Sequence, residues 1–196
     1  MENKKKNITV ATANPHKLKE INEINTFKNI TLSIVEGDFD PEETGSNFEE
    51  NAYTKAKEAA KIMNNYALAD DTGLCVDALG GAPGLYTARY AETAEKRIQR
   101  LLNELKDIPE DKRTANFTCA MVLVDKNGNI IHKETGIAEG IIIETNHGTN
   151  GFGYDPVFFM PEYNQTMAEM PTELKNKISH RAKALIPMLE WIDKNL

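Results

Sequence analysis

The segment 151–181 contains residue types that suit the binding of a flat, charged ligand. Phe152 and Tyr154 alternate with glycines, which let the backbone approach a ligand closely while the two rings offer faces for stacking. The segment also supplies charged and hydrogen-bonding side chains of both signs, namely Asp155, Lys175, His180 and Arg181. Neither a core segment nor a solvated loop has a use for this mixture. The pattern therefore favours a site that holds a planar polar ring at one end and an anion at the other.

Two adjacent carboxylates, Asp70 and Asp71, follow the apolar segment 66–69, which has the character of a buried strand. Neighbouring side chains in a strand point to opposite faces, so the two are expected to have different tasks. Mg²⁺ takes oxygen ligands, usually one or two carboxylates beside substrate phosphates. Asp71 is therefore a candidate to bind Mg²⁺ or to accept a proton from water, and Asp70 to share the metal or to be structural. A solvated Asp-Asp-Thr-Gly turn is the alternative.

A candidate anion-binding loop occupies residues 12–17, between the β-branched segment 8–12 and a helix pattern. Free backbone N–H groups at a helix N-terminus attract anions, and Thr12, Asn14 and Lys17 add polar and positive groups. The alternative is an ordinary helix cap, with Asn14 before a proline in the first turn. Neither a G-x-x-x-x-G-K-[ST] sequence nor a G-x-G-x-x-G turn after a strand occurs.

Two further features lie on or just before a long helix. The capping-box sequence 46–49 opens a helix to about residue 63, on which Lys55 lies one turn after Asn51 on the same face. Lys55 is a candidate for contact with phosphates, and an exposed helix charge is the alternative. The acidic loop 41–45 is a candidate source of a second carboxylate, and solvated surface is the alternative.

The spacing of Lys175 and His180 indicates a break between two helices. On one continuous helix the two side chains would lie about 140° apart, because the repeat is 3.6 residues. They converge better if Ser179 caps a new helix, which puts His180 and Arg181 in its first turn beside free N–H groups. Ligand contact is the favoured interpretation of His180, and a structural histidine is the alternative.

The elements that position these residues indicate an α/β fold with a mixed sheet. Strand patterns cover residues 8–12, 30–35, 66–69, 74–76, 117–123 and 130–144. Helix patterns cover residues 18–27, 46–63, 93–105 and the stretch from about 179 to the end. Asn127-Gly128 predicts a hairpin turn between the last two strands, and Pro187 predicts an interruption or shift of the final helix. No pattern fixes the order of the strands.

Length and composition limit the function classes. A chain of 196 residues suits a single domain, residues 1–196, with a core of its own. The net charge of −7 argues against binding to nucleic acids, although local basic groups or a divalent cation still allow a small polyanion. Cys75 and Cys119 are expected to be buried, reduced thiols. No apolar run reaches the roughly 20 residues of a membrane helix and no signal peptide is evident, so we expect no membrane association and a cytoplasmic location.

Six sequence blocks, taken together and in their order along the chain, resemble the inosine triphosphate pyrophosphatase family, which hydrolyses non-standard purine nucleoside triphosphates. The matching blocks are residues 12–17, 48–56, 69–74, 80–90, 151–156 and 167–181, so the similarity covers nearly the whole chain. Ala13, where glycine is common, and Thr72, where serine is frequent, are small departures. The resemblance implies an elongated mixed β-sheet flanked by helices, two lobes with a central cleft, and a homodimer. It also implies Mg²⁺-dependent cleavage of ITP, dITP and XTP between the α- and β-phosphates, giving a monophosphate and pyrophosphate.

The resemblance also implies roles for individual residues. Asp71 is implied as the catalytic base and a metal ligand, and Glu42 as the second metal ligand, with Glu43 as its competitor. The loop 12–17, Lys55 and Lys175 are implied to hold the triphosphate. The residues implied to bind substrate are Thr12, Ala13, Asn14, Pro15, His16, Lys17, Lys55, Thr72, Phe152, Gly153, Tyr154, Asp155, Lys175, His180 and Arg181.

Recognition of the base would use a polar match. Phe152 and Tyr154 are expected to stack on it, and His180 and Arg181 to donate hydrogen bonds to the 6-oxo group of hypoxanthine or xanthine. Adenine carries a 6-amino donor at that position, so a buried donor would face a donor, and such mismatches discriminate strongly. Rejection of GTP would have to depend on its 2-amino edge.

Overall fold

The computed structural model describes residues 5–35 and 39–196, and every element given below lies in those ranges. The strands are β1 (Lys6–Val10), β2 (Ile30–Ile34), β3 (Ala67–Val76), β4 (Thr114–Val124), β5 (Ile130–Ile142), β6 (Phe158–Met160) and β7 (Gln165–Thr166). The α-helices are α1 (Pro15–Ile24), α2 (Phe48–Met63), α3 (Ala94–Leu105), α4 (Thr172–Ile178) and α5 (His180–Asn195). None of these helices is long and apolar enough to cross a membrane.

The strands form one mixed sheet in the order β2-β1-β3-β4-β5-β6-β7. β1 pairs in parallel with β2 and β3, whereas β6 pairs antiparallel with β5 and β7. The turn at Asn127-Gly128, closed by a bond from the Asp125 N–H to the Asn129 carbonyl, joins β4 to its neighbour β5. The predicted mixed α/β architecture and this hairpin turn are therefore confirmed.

The chain divides into two compact units, and β3, β4 and β5 contribute residues to both. The first unit contains the described residues up to Asp71 together with 119–136 and 181–196. Its core has two parts. In one part Ile8 and Val10 of β1 pack with Leu185 and Leu189 of α5. In the other, small α2 side chains are fully buried, namely Ala52, Ala56, Ala59 and Ala60. Alanines on that face allow the helix to approach its neighbours closely.

The second unit consists of residues 72–118 and 137–180. Its core collects apolar residues of α3, β4 and the short strand β6, and the predicted helix 93–105 is present as α3, which Thr93 caps. The strands β6 and β7 were not predicted, because elements of three and two residues are too short to display a periodic pattern, whereas α4 is the helix implied before the predicted break at Ser179. Cys119 is buried as expected, but Cys75 is only half-buried, and both are free thiols.

Strand β3 corrects one expectation. The apolar pattern predicts a strand that ends before Asp70, followed by a turn, but β3 continues through both aspartates to Val76. Both carboxylates are buried, so a solvated turn is excluded. The pattern fails here because each carboxylate contacts at least one cationic side chain from elsewhere in the chain, which permits charge inside a strand.

Helix boundaries differ from the predictions in three places. α1 runs from Pro15 to Ile24, whereas its pattern covers residues 18–27, because the backbone leaves the helical conformation at Asn25. α2 is capped by Asn47, whose Oδ1 accepts from the Glu50 N–H at 2.9 Å, one residue later than the predicted box. α4 ends at Ile178 and α5 begins at His180, which confirms the predicted new helix. α5 nevertheless continues through Pro187, contrary to the expected interruption, because the apolar face on both sides of the proline stays buried. Residues 36–38, which precede the acidic loop 41–45, lie outside the described residues.

Candidate active site

Asp71 lies among buried polar side chains of β3 and α2. It is 7% exposed. Asn51 Nδ2 donates to Asp71 Oδ2 at 3.0 Å, and Lys55 Nζ lies 3.4 Å from Asp71 Oδ1. The helical repeat places Asn51 and Lys55 one above the other, so one face of α2 holds both oxygens of the carboxylate. The alternative of an exposed charge is therefore wrong for Lys55, which is buried.

The electrostatics of this group favour a cation. Burial raises the pKa of the Asp71 carboxyl above its ordinary value, and Glu43 adds to the effect, which Lys55 only partly offsets. Burial alone would lower the pKa of Lys55, but the carboxylates around it outweigh that effect and raise it. Asp71 and Glu43 together carry one more negative charge than Lys55 neutralises. A divalent cation is a chemically suitable addition to such a set of oxygen donors.

The acidic loop contributes Glu43 to this group. Lys55 Nζ donates to Glu43 Oε1 at 2.6 Å, and Glu43 is half-buried. Glu42, which the resemblance favoured as metal ligand, is exposed. The contacts therefore favour the competitor, Glu43. Among the described residues no cluster of three or more His, Cys, Asp or Glu side chains is placed to hold a metal, so any ion here would have two carboxylate ligands at most and would need oxygen atoms from a substrate or water.

Asp70 contacts a different set of side chains. Lys17 Nζ lies 2.9 Å and Arg181 Nη2 lies 3.3 Å from Asp70 Oδ2. Arg181 also donates to Glu20 of α1. Burial opposes ionisation of Asp70, but Lys17 and Arg181 outweigh it and hold the pKa of this carboxyl well below its usual range. Two cations and two anions balance in this network, which supports a structural role for Asp70 and ties Arg181 to it.

The loop 12–17 forms a cap. Asn14 Oδ1 accepts from the N–H groups of His16 and Lys17 at 2.9 and 3.3 Å, and the Asn14 carbonyl accepts from the N–H of Leu18. With a proline at the first helical position, the N–H groups that were expected to bind an anion are thus bonded within the helix itself. The side chains of Thr12 and Lys17 stay predicted contacts of an anion at this loop.

A second group of polar residues surrounds Phe152. Asp155 Oδ2 accepts from the Phe152 N–H at 2.8 Å and from Lys175 Nζ at 2.6 Å, and Lys175 Nζ lies 5.2 Å from the centre of the Phe152 ring. Gly151 adopts a φ of +73°, and a Cβ at this position would lie 2.0 Å from Asp155 Oδ2. The glycine therefore provides the space in which Asp155 fixes the half-buried Phe152. Lys175, which is predicted to hold the triphosphate, contacts Asp155 and the Phe152 ring in this structure.

Tyr154 and His180 are more enclosed than the sequence indicates. Tyr154 is 2% exposed, and its hydroxyl donates to the Thr87 carbonyl at 3.2 Å. Burial raises the pKa of Tyr154, so the hydroxyl stays protonated at neutral pH. The His180 ring stacks on Phe117 with centroids 4.7 Å apart and planes inclined by 18°. These contacts favour Phe152 over Tyr154 for stacking on a ligand and give His180 a fixed plane.

The remaining predicted residues lie in the same segments. Ala13, Pro15 and His16 are exposed in the loop and first turn of α1, whereas Thr72 and Gly153 are half-buried. Sequence reasoning placed Asn51 beside Lys55 but gave it no task, and it did not select Phe117 or Glu20. The alternation of apolar residues in β4 identified Phe117 as a core residue only, since a stack between residues so far apart in sequence leaves no local pattern.

This chain is similar in sequence and fold to several known proteins. The model of the Ham1 family matches residues 8–191. A dITP/XTP pyrophosphatase of Listeria monocytogenes is 48% identical over 185 residues, which cover 91% of this chain and 90% of that protein. A dITP/XTP pyrophosphatase of Legionella pneumophila is 48% identical over 188 residues, covering 92% and 95%. A HAM1 protein from Coxiella burnetii superposes with a TM-score of 0.86 at 38% identity, covering 96% of this chain and 99% of that one.

Proposed function

The chain belongs to the Ham1 family, and from this we propose that it hydrolyses non-standard purine nucleoside triphosphates, namely ITP, dITP and XTP, to the nucleoside monophosphate and pyrophosphate. Such a reaction removes deaminated purines from the nucleotide pool. The observation that carries the proposal is the buried Asp71, held by Asn51 and Lys55 of one helix face beside Glu43. The names of the curated relatives supply the substrate class.

Asp71 is the proposed catalytic base. It accepts a proton from the water whose oxygen forms a bond to the α-phosphorus, while the bond from that phosphorus to the leaving pyrophosphate breaks. A general base works best with a pKa near the working pH, and burial raises the pKa of Asp71 in that direction. Lys17 and Lys55 are the proposed contacts of the triphosphate, with Thr12 and Asn14 as hydrogen-bonding partners.

Mg²⁺ is the proposed cofactor, and the residues present fit it. Asp71 and Glu43 are the carboxylates that would hold the ion. Glu43 takes the place of Glu42 because it contacts Lys55 beside Asp71, whereas Glu42 is exposed. When bound there, the ion would offset phosphate charge and complete its coordination with substrate oxygens.

The base-recognition residues are proposed to be Phe152 and His180. Phe152 offers a half-buried ring whose backbone is fixed by Asp155. His180, stacked on Phe117, donates a hydrogen bond to the 6-oxo group, which adenine lacks. Arg181 supports this indirectly through its pairing with Asp70, and Lys175 through Asp155. On the family resemblance we also propose a homodimer that acts in the cytoplasm.

The test is turnover of ITP, XTP, dITP, GTP, ATP and a pyrimidine nucleotide with Mg²⁺, with pyrophosphate separated from orthophosphate by ion chromatography. We expect pyrophosphate from ITP, XTP and dITP, little from GTP and ATP, and none after removal of the metal with EDTA. Orthophosphate with a diphosphate product would instead indicate a phosphatase. Tight binding without turnover would indicate a nucleotide-sensing module, and preference for the pyrimidine nucleotide would contradict the proposed pocket.

A further inference from the structure

Asn51 joins the acidic loop to the proposed catalytic base. Its Oδ1 accepts from the Gly45 N–H at 2.8 Å, and its Nδ2 donates to Asp71 Oδ2 at 3.0 Å. Only the oxygen of an amide accepts a hydrogen bond from an N–H, so the bond to Gly45 fixes which end of the amide faces Asp71. The residue is 1% exposed, which leaves no role for it as a solvated helix side chain.

The contact with Gly45 explains why this loop position has no side chain. A Cβ on Gly45 would lie 2.6 Å from Asn51 Oδ1 and 2.9 Å from the Asn51 nitrogen. Such distances are well inside van der Waals contact, so a side chain there would push the loop away from α2. The close approach also places Glu43, two residues earlier, where Lys55 Nζ contacts it at 2.6 Å.

One turn of α2 thus holds two carboxylates that come from different parts of the chain. Asn51 binds the loop backbone and one oxygen of Asp71, and Lys55 binds Glu43 and the other oxygen of Asp71. The carboxylate of Asp71 is therefore held at both oxygens, which fixes its plane. An amide serves this purpose because it supplies a donor and an acceptor and carries no charge that would have to be desolvated.

We propose that Asn51 is a positioning residue, which orients Asp71 and keeps the Glu43 loop against α2 so that both carboxylates meet the reacting phosphate in one geometry. This inference rests on the proposed function, because its effect is exerted through Asp71. Misplacement of a catalytic group by about 1 Å lowers rates about 10²-fold, while contacts to the rest of a substrate remain. Loss of Asn51 should therefore reduce kcat and leave nucleotide binding largely unchanged.

The test compares Asn51→Ala and Asn51→Asp with the wild-type protein, using XTP and Mg²⁺. The aspartate has nearly the shape of asparagine and still accepts from Gly45, but it replaces the donor that faces Asp71 with an acceptor. We expect kcat to fall about 10²-fold in both variants, with KM within threefold of wild type. Calorimetric titration with the α,β-methylene analogue of ITP, which resists cleavage at that position, should give a dissociation constant within threefold of wild type.

Asn47→Ala is the matched control. Asn47 caps the same helix, is exposed, and its side chain accepts from the Glu50 N–H, so its loss weakens α2 at the start of the helix. Urea unfolding of all variants shows how much stability each has lost. We expect Asn47→Ala to keep kcat within twofold of wild type even where it loses as much stability as Asn51→Ala.

Three results would overturn the inference. They are retention of kcat within threefold in Asn51→Ala, retention of it in Asn51→Asp, and an equal loss of kcat in Asn47→Ala at equal loss of stability. Wild-type protein that releases no pyrophosphate from XTP or ITP would overturn the proposed function and this inference with it. Wild-type turnover with an unaffected Asn51→Ala would overturn the inference alone.

Discussion

Asp70 and Asp71 are adjacent in β3, yet their carboxylates contact cations from different helices and their pKa values are shifted in opposite directions. Asp70 meets Lys17 and Arg181 and is held ionised. Asp71 meets Lys55 in a group with too little positive charge, and its pKa is raised. The pleat of one strand thus separates a carboxylate that stabilises the fold from one that is available for chemistry.

Asp71→Asn tests the proposed base. The amide has nearly the same shape but accepts no proton from water and is a poor ligand for Mg²⁺, so we expect kcat for XTP to fall at least about 10³-fold. Nucleotide binding should persist, since the other proposed contacts remain. Rapid-quench measurement of pyrophosphate together with calorimetric binding checks this, and a wild-type rate in the variant would remove Asp71 from the role.

Asp70→Asn is expected to act on stability. It removes one of the two carboxylates that pair with the buried Arg181 in this network, and breaking one partner of a buried ion pair costs about 3–5 kcal/mol. Urea unfolding at pH 7 measures the loss. Asp193→Asn, which removes the half-buried partner of Lys6, is the control and should change the free energy of unfolding much less.

The stability difference between the wild-type protein and Asp70→Asn should depend on pH. The direction of that dependence follows from the lowered pKa of Asp70. A carboxyl with a lower pKa in the folded state contributes stability that is fully present above its unfolded pKa of about 3.9 and is lost as the pH falls towards the folded value. The difference in unfolding free energy between wild type and Asp70→Asn should therefore stay constant from about pH 7 to 5 and narrow below about pH 4. A difference that widened on acidification would contradict the network.

The sequence predicts that Asp70 and Asp71 have different tasks, but it does not predict which side chains contact each of them. Strand alternation is a local property, so opposite tasks for Asp70 and Asp71 follow from their adjacency. Arg181 and Glu20, in contrast, are 161 residues apart and meet only through the packing of α1 and α5 in the first unit. The same limit explains why the sequence did not indicate that Phe117 of β4 stacks on His180.

Glu43→Gln and Glu42→Gln distinguish the two candidate metal ligands. Glu43 lies 2.6 Å from Lys55 Nζ, whereas Glu42 is exposed. We expect Glu43→Gln to raise the Mg²⁺ concentration for half-maximal activity and to lower kcat about 10- to 100-fold, a typical cost for a perturbed metal site. Glu42→Gln should stay within twofold of wild type. Titration of activity with Mg²⁺ at saturating XTP decides between the two residues. A larger effect of Glu42→Gln than of Glu43→Gln would indicate that Glu42 is the metal ligand.

Phe117→Leu is expected to weaken the discrimination between XTP and ATP. The stack holds the plane of His180, and aromatic pairs of this kind are worth about 0.5–1.5 kcal/mol, a factor of about 2 to 10. The ratio of kcat/KM for XTP to that for ATP should fall by this factor. Phe27→Leu is the control. It alters a half-buried ring that packs against the core of the first unit, and it should leave the ratio unchanged. An unchanged ratio in Phe117→Leu would mean that His180 keeps its orientation without the stack.

Comparison of Gly151→Ala with Gly153→Ala separates two causes of lost stability, namely strain in the backbone and a steric clash of the added Cβ. Both glycines have positive φ values, +73° and +64°, so an alanine at either position pays a similar conformational cost of about 1–2 kcal/mol. A Cβ at 151 would in addition meet Asp155 Oδ2 at 2.0 Å, whereas one at 153 would have no heavy atom within 4 Å.

The alanine at 151 must therefore displace the carboxylate that accepts from Lys175 and from the Phe152 N–H. We expect Gly151→Ala to lose about 1–3 kcal/mol more stability than Gly153→Ala in urea unfolding, by analogy with overpacked sites. It should also raise KM for XTP more, since Phe152 loses its backbone anchor. Equal losses in the two variants would show that the clash relaxes freely, and that Asp155 does not fix the ring proposed to stack on the base.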